Sequence, residues 1–431
     1  MSATRVLSVS DVQRIVTDSG IWTATRAQTH RFQLSTDLFS LPEDRVRELR
    51  ELTFAVTKCL EGMARIAAIA EDEQLGKMPS WKNIRQTLQR EVPARFRSLC
   101  RIRASTGPSI VRLDMVEDLD ENWKIVEIEG VKSHGLGYSS LFAEIAGLTQ
   151  HDRLPGVAQL IAQEVHKRRP QNPTLIHILA HSEIFYQAEG EILQKALARH
   201  GVRLILLQED SKIKVEDGIL TIEGDGIPNP LFLSIPPFAG KKYGAPANLA
   251  LENQLLKLYQ DKSADCLIPP KLFMGSKGML AILSNAEENA ELDWILRSQI
   301  NSDNLLLLRS YIPRTALVEP GTSFPVNGGW VLKEVLESGA HGVCFSEEPD
   351  FRKKFEEARA GKIRAVLQEK IACKPRDFHV SEGQKSQIES RHMRIAIFMV
   401  AGSLADVTIT ACKEAPVHGG KEAIMLGSIL T

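Results

Sequence analysis

Apolar residues at Val46, Leu49, Leu52, Val56, Leu60, Met63 and Ile66 recur at steps of three and four, which sets them on one face of a helix. Ser40-Leu41-Pro42-Glu43 predicts its start, with Ser40 as N-cap, Pro42 near the first turn and Glu43 completing a capping box. The first hundred residues read as mainly helical. From Ser109 the period changes to two. Ile110 to Met115 and Trp123 to Glu129 alternate polar and apolar positions around the acidic connector Glu117 to Asn122, the signature of a β-hairpin. A glycine- and polar-rich loop, Gly130 to Gly137, follows, and Leu141 to Ile145 returns to a helical pattern.

Beyond Pro170-Gln171-Asn172-Pro173 come an apolar strand (Thr174 to Leu179), a helix (Glu183 to His200) and a second apolar strand (Val202 to Leu207). Elements of this length predict a parallel α/β unit buried on both faces. Pro228, Pro230, Pro236 and Pro237, with the Gly-Lys-Lys-Tyr-Gly stretch after them, mark a further boundary. From about Cys266 onward helices mix with strands predicted at Leu305 to Arg309, Trp330 to Lys333, Ala365 to Lys370 and Ile395 to Val400. No internal repeat or low-complexity tract interrupts this α/β (α+β) pattern.

Composition narrows the function classes. A chain of 431 residues exceeds the size at which one core stops growing, so two or three packed subdomains are expected. Lys plus Arg (53) nearly cancels Asp plus Glu (54), which leaves no net field to attract a nucleic-acid backbone or an anionic membrane. No basic-then-apolar leader opens the chain and no run reaches the roughly eighteen apolar residues of a membrane span, so a cytoplasmic protein is expected. The six cysteines are dispersed without a CxxC pair, which reads as reduced, mostly buried thiols.

Chemistry concentrates in four places. Alternation puts Glu127 and Glu129 on one face of a strand, and a paired hairpin would set Arg112 and Asp114 beside them. Taken alone, this patch is first a solvated strand face with a surface salt bridge, and second an acid-rich site suited to magnesium. Trp330-Val331-Leu332-Lys333 ends an apolar strand in a lysine ahead of Glu337-Ser338-Gly339-Ala340-His341-Gly342, a small-residue loop that is either a plain turn or a phosphate cradle. It lacks the ending of a Walker A loop. Gly275-Ser276-Lys277-Gly278 leads into a helix, where a lysine can meet a phosphate together with N-terminal amides. Val366 to Ile371 ends a strand with Gln368, Glu369 and Lys370, as a hinge that holds a purine, or any strand end, would.

The order of these pieces resembles the circularly permuted ATP-grasp ligases typified by glutathionylspermidine synthase and the eukaryotic type of glutathione synthetase. In that family an Arg-x-Asp strand and a Glu-x-Asn strand precede the nucleotide-binding segments, as Arg112-Leu113-Asp114 and Glu127-Ile128-Glu129 do here. The similarity runs from about residue 105 to 431 and ends in His418-Gly419-Gly420. It implies an ATP-grasp fold with a helical region over 1–104, a metal-binding part over 105–169, an inserted α/β substrate subdomain over 170–255 and a nucleotide-binding portion over 256–431. It also implies ATP and magnesium as cofactors. Asp114, Glu127, Glu129 and Glu337 would hold magnesium, and Lys277 and Lys333 would contact phosphates. Gln368, Glu369 and Lys370 would border adenine, Lys413 would be a further nucleotide-side lysine, and Gly339, Ala340, His341 and Gly342 would belong to a closing loop. His134, Glu183 and Gln187 are the implied substrate-binding residues, while Arg112 and Lys333 are the catalytic pair.

Two departures stand out. Glu129 replaces the family's Asn, and Thr410-Ala411-Cys412 stands where glutathione-type members carry a carboxylate-binding arginine near Lys413. The expected activity is an ATP-dependent joining of a small carboxylate to an amine, with amino acid, peptide and polyamine all open as substrates and a homodimer compatible with the resemblance. The competing readings are a nucleotide-binding regulatory protein and an ATP-grasp phosphotransferase.

Overall fold

The computed structural model describes the chain apart from residues 1–2, 6, 23–31, 73–77, 90–91, 181–185, 210, 217, 239–247, 286–288, 326, 337–341, 383–384 and 418–421. Helix α1 (Glu43–Ala70) carries the apolar stripe read from the sequence, and every residue of that stripe is buried. Its start differs from expectation. Pro42 occupies the cap position with no side-chain cap bond, because Ser40 and Leu41 belong to a strand, Asp37–Leu41. That strand is held between Ala3–Arg5 and the C-terminal Ser428–Leu430, so the first hundred residues are not helical throughout. The stripe packs on the hairpin strands β1 (Ile110–Glu117) and β2 (Trp123–Glu129), where Leu52 and Val56 share a core with Val111, Leu113 and Ile125. Helix α2 (Leu136–Ala146) follows the hairpin loop.

The α/β layer is built from β3 (Thr174–Leu179), helix α3 (Gln187–Ala198), β4 (Arg203–Gln208), β5 (Leu231–Ser234), helix α4 (Leu249–Gln260) and β6 (Asp265–Ile268). All four strands are parallel, in the order β6-β5-β3-β4. The expected start of α3 at Glu183 falls outside the described residues. β3 is buried along its length, whereas β4, at the sheet edge, is only half buried. A boundary at residue 255 is also corrected. It would cut α4, and the sheet takes its fourth strand from Asp265–Ile268. Strand order reverses between β3 and β5, so the crevice beyond their carboxyl ends is a topological switch point, where α/β sheets bind ligands.

Next come helix α5 (Lys277–Asn285), helix α6 (Ser302–Tyr311), and β7 (Thr315–Leu317), β8 (Trp330–Glu334), β9 (Val343–Phe345) and β10 (Ala365–Glu369). The strand expected at Leu305–Arg309 is instead the core of α6. Asn301 caps it by accepting from the amides of Asp303 and Asn304, and burial of Leu305 and Leu308 with Leu306 exposed follows a helical, not an alternating, period. Four consecutive leucines carry no phase of their own. The four strands form an antiparallel sheet, β7-β10-β8-β9.

The last strands, β11 (Arg376–Glu382), β12 (Lys385–Val400), β13 (Ser403–Cys412) and β14 (Ile424–Leu426), close a larger sheet. The first half of β12 pairs with β11, and its second half pairs with β1, so the early hairpin becomes the flank of a sheet built from the end of the chain. No helix among the described residues is long and apolar enough to cross a membrane.

Candidate active site

Register decides which side chains meet. In the hairpin Arg112 stands opposite Glu129 and Asp114 opposite Glu127, so the acids and the arginine predicted to share a patch do share a face. Pairing then skips a residue: Met115 opposes Ile125, which leaves Val126 as a bulge. Its carbonyl accepts from Lys333 Nζ at 3.1 Å, and the same ammonium donates to Gln368 Oε1 at 2.6 Å. The bulge thus docks β8 on the hairpin across two hundred residues of sequence.

Lys277 is the first residue of α5, with its side chain only 5% exposed and its Nζ 3.3 Å from Glu127 Oε1. Burial holds the Lys333 amine down at about 8, against an upward pull from Glu127 and a further downward push from Lys277. Arg112 binds Asp114 through both oxygens, at 2.7 and 3.1 Å, and donates a third bond to the His134 carbonyl at 2.9 Å. Asp114 receives Arg394 as well, at 3.3 Å. Burial works to raise the Asp114 carboxyl, but the two guanidiniums overcome it and hold the carboxyl below its usual range. Glu129 is buried, and its Oε1 accepts from the amides of Val131 and Lys132, which fixes the start of the loop to His134. Gly275 makes room for it, since a Cβ there would lie 2.9 Å from that oxygen.

The four carboxylates expected to hold magnesium have different surroundings. Among the described residues no three His, Cys, Asp or Glu side chains converge as a cation cage, and Glu337 lies outside them. Asp114 is committed to arginines and Glu129 to backbone amides. Glu127, 21% exposed, is the acid turned toward the lysines. This donor set fits magnesium carried in by phosphates, which needs one or two protein carboxylates, and not a resident ion held by protein alone. Against Asp114, Glu127 and Glu129 stand Arg112, Arg394, Lys277 and Lys333, an excess of cations that suits an anionic ligand.

Other expected residues divide. Gln368 is buried, and its side chain is fixed between Lys333 and Thr315 Oγ1, where it supports the lysine. Glu369 is exposed at the strand end, and Lys370 pairs with Glu347 at 2.9 Å over the Phe345 ring. Lys413 lies 3.4 Å from Glu389. Gly342 turns with φ +72°, while Gly339, Ala340, His341 and Glu183 fall outside the described residues, as do residues 418–420.

His134 stacks on Tyr186 with ring centroids 3.8 Å apart, and the two line a small crevice with Ser133, His177 and Glu189 at the switch point. Ser133 Oγ lies 3.3 Å from His177 Nε2, and the Gly135 amide donates to Glu189. Gln187 is not in that lining. Its amide bridges Glu191 and Gln208 at the end of β4. Glu189, two residues on, was missed because only the helical phase of α3 identifies it; His177 looked like an ordinary strand position, and Arg394 lies just ahead of the strand read at Ile395–Val400.

No protein-family model and no curated protein matches the chain. Among solved structures it is similar to a glutathione synthetase-like effector (GSS30) from Globodera pallida in apo form, with 11% identity over 99% of this chain and 98% of that one and a TM-score of 0.56. A looser likeness joins it to a candidate gamma-glutamylcysteine synthetase from Methylobacillus flagellatus KT, with 10% identity over 72% and 76% and a TM-score of 0.37, too low to carry argument. The chain therefore shares the mixed α/β fold of that effector from end to end.

Proposed function

We propose that the chain is an ATP-dependent ligase of the circularly permuted ATP-grasp type, which activates a small carboxylate as an acyl phosphate and passes it to an amine. The observation that carries this reading is the meeting of Glu127 with Lys277 and Lys333, three charged side chains from segments far apart in sequence. A likeness of fold to a glutathione synthetase-like protein supports it.

Nucleotide with its magnesium, when bound, supplies the phosphoryl group that turns a carboxylate into an acyl donor. The chain's own residues do the rest. Lys277 and Lys333 would hold phosphate oxygens, and Glu127, the acid turned toward those lysines, would supply a carboxylate to the magnesium that the phosphates carry. Arg112, fixed by Asp114 and the His134 carbonyl, points its guanidinium at the junction between the phosphate site and the switch-point crevice. There it stabilises the charge that builds on the acyl oxygen. His134, Tyr186 and Glu189 line the crevice in which the carboxylate and amine substrates sit. Substrates are small: amino acids, short peptides or polyamines.

The test is an ATP-dependent phosphate-release screen over paired amino acid and amine pools, with Lys333→Ala as control. Release that requires an added amine, and that the control abolishes, is the expected result. Nucleotide binding without turnover would instead favour a regulatory protein, and equal release by the control would remove the site assignment.

A further inference from the structure

Arg394 has no role in the reading above, and its surroundings give it one. It lies on β12, opposite Thr410 of β13, on the same sheet face as Asp114 and Glu127. Its Nη1 reaches Asp114 Oδ2 at 3.3 Å, but Arg112 already spans both oxygens of that carboxylate at shorter distances. The Nε of Arg394 is buried and has no hydrogen-bond partner among the described residues. A guanidinium held at a face with surplus cations, one N–H unsatisfied and its side chain 25% exposed, is an arrangement completed by an anion from outside.

Position selects the anion. Ala396 opposes Asp114, and Phe398 opposes Arg112 at the crevice end of the face; Arg394 is displaced in the other direction, along β1 toward Glu117. Arg394 and Lys333 both act electrostatically on Asp114, so Arg394 shares that carboxylate with the lysine read as a phosphate contact. An anion seated on Lys333 is accordingly placed to meet Arg394, and a substrate carboxylate is the competing occupant.

We propose that Arg394 binds a phosphate of the nucleoside triphosphate, donating its unpartnered Nε–H and one Nη–H to a non-bridging oxygen. The inference rests on the nucleotide reading of this site and adds a third cation to it.

The test compares wild-type protein with Arg394→Gln and Arg394→Lys in equilibrium binding of adenosine, ADP and ATP, with melting temperature recorded without ligand. Arg394→Gln is expected to weaken ADP and ATP on the order of tenfold to a hundredfold and to leave adenosine unchanged, since a lost charged hydrogen bond is confined to phosphate-bearing ligands. Arg394→Lys should recover part of that loss. Unchanged ADP and ATP binding in Arg394→Gln overturns the inference, as does an equal loss for adenosine or a rise confined to the KM of the carboxylate substrate. Wild-type protein that binds none of the three overturns the nucleotide reading itself, and the inference with it.

Discussion

Replacing Lys333 by Met separates the cost of a buried amine from its use. The side chain keeps its length and loses its charge. In the ligand-free fold the amine is held at about 8 from a usual 10.5, so enclosing the charged form costs at most about 3 kcal/mol at neutral pH. Methionine removes that cost but strands two acceptors, the bulged Val126 carbonyl and Gln368 Oε1, each worth about 1 kcal/mol or more when left unpaired. These effects oppose each other, and the expected stability of Lys333→Met lies within about 2 kcal/mol of wild type. Nucleotide binding has no such compensation. Loss of a charge-assisted contact to phosphate weakens MgATP by about 1.5–3 kcal/mol, roughly tenfold to a hundredfold. The assay is thermal melting over a series of ATP concentrations, which reads both quantities from one sample, since the ligand's stabilisation follows its dissociation constant. The pH dependence supplies a second check. Because the folded pKa is depressed, the folded chain holds fewer protons than the unfolded one between pH 8 and 10.5, so this lysine's contribution to apo stability rises with pH across that window. ATP affinity moves oppositely, falling above about pH 8 as the ammonium discharges. The variant should lose both trends. An unaltered ATP response in Lys333→Met, or a wild-type affinity flat from pH 7 to 9.5, refutes the reasoning.

Three further perturbations probe other links. Asp406 is buried, bonded by Ser139 and by the Val407 amide at 2.9 Å, yet burial outweighs both and pushes its carboxyl up to about 7. Its folded pKa is raised, so its stabilising contribution is complete below about pH 3.8 and declines as pH rises to 7, a change of about 4 kcal/mol; Asp406→Asn should melt higher at pH 8 and show a smaller fall in melting temperature from pH 4.5 to 8. At Gly137, in the first turn of α2, a Cβ would overlap the Glu189 carbonyl oxygen. Helix propensity predicts that Gly137→Ala gains about 1 kcal/mol, whereas the clash predicts a loss of about 2–3 kcal/mol, so the sign of the denaturant midpoint shift decides between them. Arg112→Lys keeps the charge but cannot span both Asp114 oxygens and the His134 carbonyl; turnover should fall on the order of a hundredfold in single-turnover phosphate release with little change in melting temperature.

What was legible in the sequence is whatever depends on neighbours along the chain. The hairpin could be read because alternation around a short connector puts Arg112 and Asp114 on the face of Glu127 and Glu129, but Arg112 directly opposite Glu129 depends on the Val126 bulge, which shifts the register by one residue. The lysines could be read because a charged residue ending an apolar strand, or opening a helix, breaks a local pattern. Leu305–Arg309 was misread for the converse reason: a uniform run has no period, and its helix is set by the Asn301 cap and the packing of α6 on α1, where Cys59 meets the Asn304 carbonyl. Ser40 was misassigned because its strand partner is the far end of the chain.

Arg394 shows the limit more sharply, because the strand read at Ile395 to Val400 stops just short of it, and even a longer alternating run reveals which residues share a face but not which strand lies alongside. Its contact with Asp114 spans 280 positions and exists only because the second half of β12 leaves β11 and pairs with β1. The Val126 bulge is of the same kind. Side-chain pattern marks the ions of this site in advance, yet the bulge carbonyl that seats Lys333 is a backbone group, identical in chemistry at every residue and distinguished only by the ladder from which it is displaced. Charged groups of the site are thus written in residue types, while the backbone groups that position them are written in long-range pairing, and a site assembled from both is only half visible until the sheets close.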